Sequence, residues 1–250
     1  MIALGFFLGS FLVWQKAREE YFEEDLLMDG ILLTALISLT ASRIGFFLLQ
    51  PDNFKGLTSF FNFVTRPGFS WQAALLGGIA GLVFYCQKKK WDFYKLADLA
   101  VFGLVLGLIL AKIGFFLANF IFDEFSSLTA LAEAALLIVV YRLLLVFSRN
   151  YRLYKWYQNK RGEANPGFLF LTFLILTSFI HLVVQGVKPD GFHFGPVQLI
   201  DLLIILTSLV LFSCRSGRGL TIAGRSFKNK ERQLKKNKED YRFKTGMEAK

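Results

Sequence analysis

The chain has 250 residues, of which 54% are hydrophobic and 16% aromatic, and its formal net charge at pH 7 is +10. The apolar residues fall in long blocks rather than at the periods of an amphipathic helix or strand. This pattern excludes a soluble globular domain and predicts an integral helical membrane protein. Because Cys86 and Cys214 have neither the spacing of metal ligands nor that of a disulfide framework, we expect no metal site and no cofactor.

Seven apolar segments follow one another along the chain. They cover 2–14, 26–50, 70–86, 96–120, 128–147, 166–185 and 197–214. Since a transmembrane helix needs about 20 apolar residues, we predict an all-α polytopic membrane bundle of about seven transmembrane helices. The first segment is short, so we expect it to belong to a span that begins earlier, and we expect no removable signal peptide.

Lysine and arginine are unevenly distributed between the two sets of connections. One set, which includes everything after 214, holds 23 of them, and the alternate set holds three. Because cytoplasmic loops are rich in Lys and Arg, we predict a cytoplasmic C-terminus and an N-terminus outside. The chain then divides into a seven-helix transmembrane domain, 1–214, and a basic cytoplasmic tail, 215–250. We expect the tail to be drawn to anionic lipid and not to nucleic acid.

Two of the segments contain a cation in nearly the same local sequence. Residues 42–48 read Ser-Arg-Ile-Gly-Phe-Phe-Leu, and residues 111–117 read Ala-Lys-Ile-Gly-Phe-Phe-Leu. A cation within a span costs roughly 2.5 to 3.5 kcal/mol on insertion scales, so Arg43 and Lys112 indicate a site facing the bundle interior or a wet cavity. Both copies are predicted to run in parallel at one depth. Together the two cations suit the phosphate of a lipid. The alternatives are that their side chains snorkel to the outer headgroups or form a structural ion pair with Glu133.

Polar side chains are predicted to meet in the outer half of the membrane. They come from five segments: Arg43, Gln72, Lys112, Glu133, His181 and Gln185. Taken singly, each has a structural explanation as a helix-contact group. A second set is predicted in the inner half, close to the cytoplasmic boundary: Asp29, Asp98, Arg142 and Asp201.

Short motifs between about 4 and 214 resemble, in order, those of the prolipoprotein diacylglyceryl transferase family. The sequence Ser-Arg-Ile-Gly at 42–45 is similar to the family's Gly-Arg-Ile-Gly, and 68–72 stands where the family has Gly-Met/Phe-Ser-Phe-His. Asp98, followed by Lys-Ile-Gly at 112–114, matches an aspartate and Gly-Arg-Leu-Gly-Asn. The later matches are Leu-Ala-Glu at 131–133, Pro-Asp at 189–190 and Gln198 in the last segment.

This resemblance implies a bacterial seven-helix enzyme of the cytoplasmic (inner) membrane. Members move a diacylglyceryl group from phosphatidylglycerol, an anionic phospholipid, to the cysteine of a lipoprotein precursor, so these two molecules are the expected partners. By the same resemblance, Arg43 and Lys112 are expected to bind the lipid phosphate. His181, Gln72 and Glu133 are expected in catalysis, with Asn119 and Gln185 in support.

The chain departs from the family at positions that handle protons. The family's histidine is Gln72 here, and an amide does not take a proton at neutral pH. Its second arginine is Lys112, and an arginine and a glutamate of its sixth helix correspond to His181 and Gln185.

Two other hypotheses stay open beside a divergent transferase. In one, a non-catalytic membrane protein of the same fold binds phospholipid or a partner helix. In the other, the chain is a small transporter, which has less support because the charged groups cluster in one leaflet.

Overall fold

The computed structural model describes residues 1–20, 22–49, 68–120, 124–151, 154, 157–158, 164–186 and 195–216. Seven α-helices occupy most of this described part. They are α1 (Ile2–Glu19), α2 (Glu24–Leu49), α3 (Trp71–Lys89), α4 (Phe93–Asn119), α5 (Glu124–Asn150), α6 (Phe168–Gly186) and α7 (Pro196–Arg215). Extended pairing among the described residues is confined to an isolated antiparallel bridge between Gln158 and Ala164. The prediction of an all-α fold, with a helix at each apolar segment, is confirmed.

Five of these helices are long and apolar enough to cross a membrane, namely α2, α4, α5, α6 and α7. The chain is therefore a multi-pass membrane protein. Helices α1 and α3 have 18 and 19 residues, and each has basic residues in its last turn. The tail beyond 216, the segment 50–67 and the Pro-Asp pair at 189–190 lie outside the described residues.

Helix α1 packs against α4 through glycines that bring the two backbones close together. A Cβ at Gly103 would lie 2.3 Å from the carbonyl oxygen of Gly9, and a Cβ at Gly9 would lie 2.6 Å from that of Gly103. Small residues allow this approach between membrane helices, where close van der Waals contact drives association. Helix α2 packs in a similar way on α3, where a Cβ at Gly77 would meet the side chain of Ala41.

The apolar core lies between α4, α5 and α6. Val101, Val105, Leu144, Leu171 and Phe173 are fully buried there. Apolar side chains on the outer surfaces of the helices stay exposed, as expected for surfaces that face lipid.

Asp98 connects this core to the start of α6. Its carboxylate accepts hydrogen bonds from the backbone N–H groups of Gly167, at 2.6 Å, and Phe170, at 2.8 Å. The first N–H groups of a helix have no partner within it, so this carboxylate caps α6 from a neighbouring helix.

Candidate active site

Five polar side chains form one continuous set of hydrogen bonds, called here the polar network. Its members come from α3, α6 and α7: Gln72, His181, Gln185, Gln198 and Asp201. The sequence predicts that three of them meet at one level, and the structure places Gln72, His181 and Gln185 together as expected.

His181 and Asp201 form the shortest contact of the polar network. Nδ1 of His181 lies 2.7 Å from Oδ2 of Asp201, and the carboxylate is completely buried. The amide Nε2 of Gln72 donates to both Asp201 oxygens, at 3.3 Å each. A buried carboxylate needs such partners because its charge is otherwise costly to keep away from water.

On the other side of the imidazole lies Gln185, which in turn contacts Gln198. Nε2 of Gln185 lies 3.2 Å from Nε2 of His181, one turn away on α6. Nε2 of Gln198 donates to Oε1 of Gln185 at 2.9 Å, and the backbone N–H of Gly195 donates to Oε1 of Gln198 at 3.0 Å. The network therefore ends on the backbone at the start of α7.

The start of α3 positions Gln72. The Ser70 hydroxyl caps this helix by accepting from the backbone N–H of Ala73, and it also donates to Oε1 of Gln72, at 3.4 Å in each case. The backbone N–H of Ser70 donates to the carbonyl of Ser42 on α2. Gly45 allows α2 to come this close, because a Cβ there would overlap the side chain of Ala73.

Arg43 lies next to the same segment of chain. Its side chain is buried, its Nη1 donates to the carbonyl of Gly68 at 2.9 Å, and its guanidinium carbon lies 5.8 Å from the ring centre of Phe69. Gly68 and Phe69 are only a few residues before Gln72, so the guanidinium lies beside the residues that precede this member of the polar network.

Lys112 on α4 forms an ion pair with Glu133 on α5. The Lys112 side chain keeps 34% of its exposure, whereas that of Glu133 keeps 11%. This contact is the structural ion pair that the sequence leaves open as an alternative. The contacts described for Arg43 include the Gly68 carbonyl and the Phe69 ring.

Asn119 has a local role in the structure. Its amide donates to the carbonyl of Phe115, four residues earlier on α4, at an exposed position. This contact ties Asn119 to the end of its own helix.

The prediction that Asp201 belongs to the inner half, apart from His181, is wrong. Asp201 lies six residues into α7, a helix that begins where the chain returns from the end of α6. Its position at the same level as His181 and Gln185 follows from that reversal. Counting residues from the start of the seventh segment is the signal that finds it.

A cavity of about 530 Å³ lies near the start of α4, whereas Lys112 lies near the end of that helix. Its lining includes Lys16, Lys95, Asp98 and Tyr151. Asp98 and Lys112 are fourteen residues apart on α4, which corresponds to about 21 Å along the helix axis. The cavity is thus separate from the Lys112–Glu133 pair.

Comparison with known proteins gives one family match, to the model described as prolipoprotein diacylglyceryl transferase, over residues 1–214. Similar relatives are named phosphatidylglycerol–prolipoprotein diacylglyceryl transferase. That of Caldanaerobacter subterraneus subsp. tengcongensis is 30% identical over 45% of this chain and 44% of its own length. That of Listeria innocua is 22% identical over 86% of this chain and 83% of its own, and that of Oceanobacillus iheyensis is 22% identical over 86% and 82%. The chain thus matches less than half the length of the first of these relatives.

Proposed function

The chain belongs to the prolipoprotein diacylglyceryl transferase family, and on this basis we propose that it transfers a diacylglyceryl group from phosphatidylglycerol to a cysteine of a lipoprotein precursor. The observation that carries the proposal is the His181–Asp201 contact beside Gln72. Gln72 stands where the family resemblance expects the histidine. The contact places another histidine against that same position, so the site regains a group that can take a proton.

The proposed reaction is a displacement at the carbon of the diacylglyceryl group that bears the phosphate. The cysteine sulfur forms a bond to this carbon while the carbon–oxygen bond to the phosphate breaks. The thiol proton passes to His181, and the glycerol phosphate leaves with the bonding electron pair and its negative charge. Histidine suits this step because its side chain titrates near neutral pH.

Arg43 is the proposed main contact for the lipid phosphate. Its guanidinium is always charged and offers several donors in one plane, of which one is seen on the Gly68 carbonyl. Because the guanidinium lies beside the residues that precede Gln72, it would stabilise the negative charge that develops on the leaving phosphate.

Lys112 is the proposed second phosphate contact. Its side chain keeps 34% of its exposure, and Glu133 would orient the ammonium as a positioning residue. Asn119 would support the end of α4 that carries Lys112.

We further propose that all seven helices cross the bacterial inner membrane, with the N-terminus outside and the C-terminal tail, 215–250, in the cytoplasm. The excess of Lys and Arg in one set of connections supports this orientation. It places the polar network toward the outer face, where a secreted precursor would arrive.

A transfer assay tests the function. The full chain is reconstituted in vesicles containing phosphatidylglycerol, with a peptide that carries a lipoprotein signal and its cysteine, and the peptide is analysed by mass spectrometry. We expect the mass of one diacylglyceryl group to be added, with Arg43→Ala reducing the rate by 10-fold or more. An unmodified peptide at all protein concentrations would reject the transferase.

The structure also favours one second candidate, a phospholipid-binding protein without transfer activity. The observation behind it is that Gln72 is an amide and that Lys112 is already paired with Glu133. This candidate predicts that phosphatidylglycerol copurifies with the chain, is lost in Arg43→Ala, and is never transferred.

A further inference from the structure

The directions of the hydrogen bonds in the polar network follow from one backbone group. The N–H of Gly195 can only donate, so Oε1 of Gln198 must face it. The amide nitrogen of Gln198 then donates to Oε1 of Gln185, and this leaves the amide nitrogen of Gln185 facing the imidazole. An amide nitrogen has hydrogens to give and no lone pair to offer. Nε2 of His181 must therefore be the acceptor.

The opposite side of the imidazole agrees with this assignment. Since Nε2 accepts, the proton of the neutral ring resides on Nδ1, which lies 2.7 Å from Oδ2 of Asp201. The carboxylate can only accept when ionised, and it also accepts from Gln72. The bonds that lead from Gly195 through Gln198, Gln185 and His181 to Asp201 then all run in one direction. The Gln72 amide, which lies 3.4 Å from Nδ1, gives its hydrogens to Asp201 instead.

Building on the proposed function, we infer that Gln185, Gln198 and Asp201 are positioning residues that hold His181 as the Nδ1–H tautomer, with the lone pair of Nε2 ready for the thiol of the lipoprotein precursor. The thiol replaces the Gln185 amide as the donor to Nε2. Its proton then moves to Nε2, which gives an imidazolium whose second N–H still faces Asp201. A neighbouring carboxylate orients a catalytic histidine and stabilises its charged form in this way.

The exposure of the side chains supports this placement. Asp201 is fully buried and Gln72 nearly so, whereas the His181 side chain keeps 18% of its exposure. The carboxylate is thus closed off behind the ring, while part of the imidazole stays accessible. Gln185 is only partly buried and lies one helical turn after His181 on α6. Its amide is therefore the group that the incoming thiol can displace from Nε2.

The test reads the tautomer directly in the resting protein. The sequence has two histidines, His181 and His193, so a His193→Gln chain labelled with ¹⁵N-histidine reports on His181 alone by NMR in detergent. We expect the signals of a ring protonated on Nδ1 and bare on Nε2. A neutral ring with its proton on Nε2 would overturn the inference.

Gln198→Glu provides the decisive variant. A carboxylate at 198 accepts from Gly195 and also from Gln185, so the Gln185 amide must reverse and present its oxygen to His181. We expect Nε2 to become protonated and the maximal rate of transfer to fall by about 10²-fold, with little change in the KM for lipid. The matched control is Gln87→Glu, at an exposed position of α3, which should leave both readouts unchanged.

A second variant covers the case in which Gln198→Glu does not fold. Gln185→Glu places an acceptor directly beside Nε2 and should protonate it without disturbing Gln198. An unchanged tautomer in either folded variant contradicts the inference. The spectra need no substrate, so the two proposals can fail separately. A chain that has the expected tautomer but transfers no lipid would contradict the proposed function alone. An active chain whose neutral His181 carries its proton on Nε2 would contradict the inference alone.

Discussion

His181 on α6 and Asp201 on α7 are joined by a 2.7 Å contact between Nδ1 and Oδ2, and the aspartate has no exposed surface. A buried carboxylate next to an imidazole gives the two helices a polar connection within the bundle. It also places a titratable ring against Gln72, where the family resemblance expects a histidine.

Arg43→Lys keeps the charge near Gly68 but removes the planar set of donors. We expect the affinity for phosphatidylglycerol to fall by about 10-fold, or roughly 1.4 kcal/mol, because an ammonium holds a phosphate as a point charge only. Lipid binding to the purified chain, measured by native mass spectrometry, checks this. Arg149→Lys, at an exposed position near the end of α5, is the control and should bind as the parent does. Equal affinity in the two variants would remove Arg43 from the phosphate site.

Lys112 and Glu133 are expected to be coupled in stability. Removing either charge, by Lys112→Gln or Glu133→Gln, leaves its partner uncompensated, whereas the double variant leaves two neutral amides. A double-mutant cycle on the free energy of unfolding in detergent should give a coupling of about 1 kcal/mol, as is typical of polar contacts between membrane helices. Simple additivity of the two single effects would show that the pair contributes nothing to stability.

Gly103→Ala should destabilise the packing of α1 on α4. The new Cβ would lie 2.3 Å from the Gly9 carbonyl oxygen, which belongs to the backbone and cannot rotate away. We expect a loss of about 1 to 3 kcal/mol in the free energy of unfolding.

The matched control for that variant is Gly107→Ala, one turn further along α4. Its Cβ meets the Gly5 carbonyl oxygen at 3.4 Å, an ordinary contact, and alanine favours the helix over glycine. This variant should be neutral or slightly stabilising. Thermal unfolding of the two alanine variants side by side gives the comparison, and equal destabilisation would argue against the close approach at Gly103.

Asp98→Ala should loosen the start of α6. The backbone N–H groups of Gly167 and Phe170 would lose their acceptor in a buried setting, at a cost of about 1 to 3 kcal/mol. Hydrogen exchange of residues 167–170 should accelerate. Asp98→Asn retains one acceptor oxygen and should show a smaller increase, and an order reversed between the two variants would contradict the capping role.

Much of this architecture is readable from the sequence because long apolar blocks define membrane helices. The same reasoning brings Gln72, His181 and Gln185 to one level, since depth along a span depends only on the count of residues. It misplaces Asp201, whose depth has to be counted from the start of the last segment. The structure shows that this residue accepts from Gln72 and lies 2.7 Å from Nδ1 of His181.

Which groups a polar side chain contacts is harder to predict from the sequence than its depth in the membrane. Arg43 and Lys112 share a local sequence and a predicted depth, which favours a common phosphate site. The structure gives Arg43 a hydrogen bond to the carbonyl of Gly68 and Lys112 an ion pair with Glu133, and neither partner follows from the shared local sequence. Which helices are neighbours decides these pairings, and close contacts such as Gly45 with Ala73 become visible only in three dimensions.

The most direct test of the central claim compares two histidine variants in the transfer assay. His181→Ala removes the proposed base, whereas His193→Ala removes the second histidine of the sequence, which lies outside the described residues. We predict that the rate of diacylglyceryl transfer falls by 10² to 10⁴-fold, roughly the contribution of a general base, in His181→Ala and stays near that of the parent in His193→Ala. Transfer by His181→Ala at the parent rate would contradict the account.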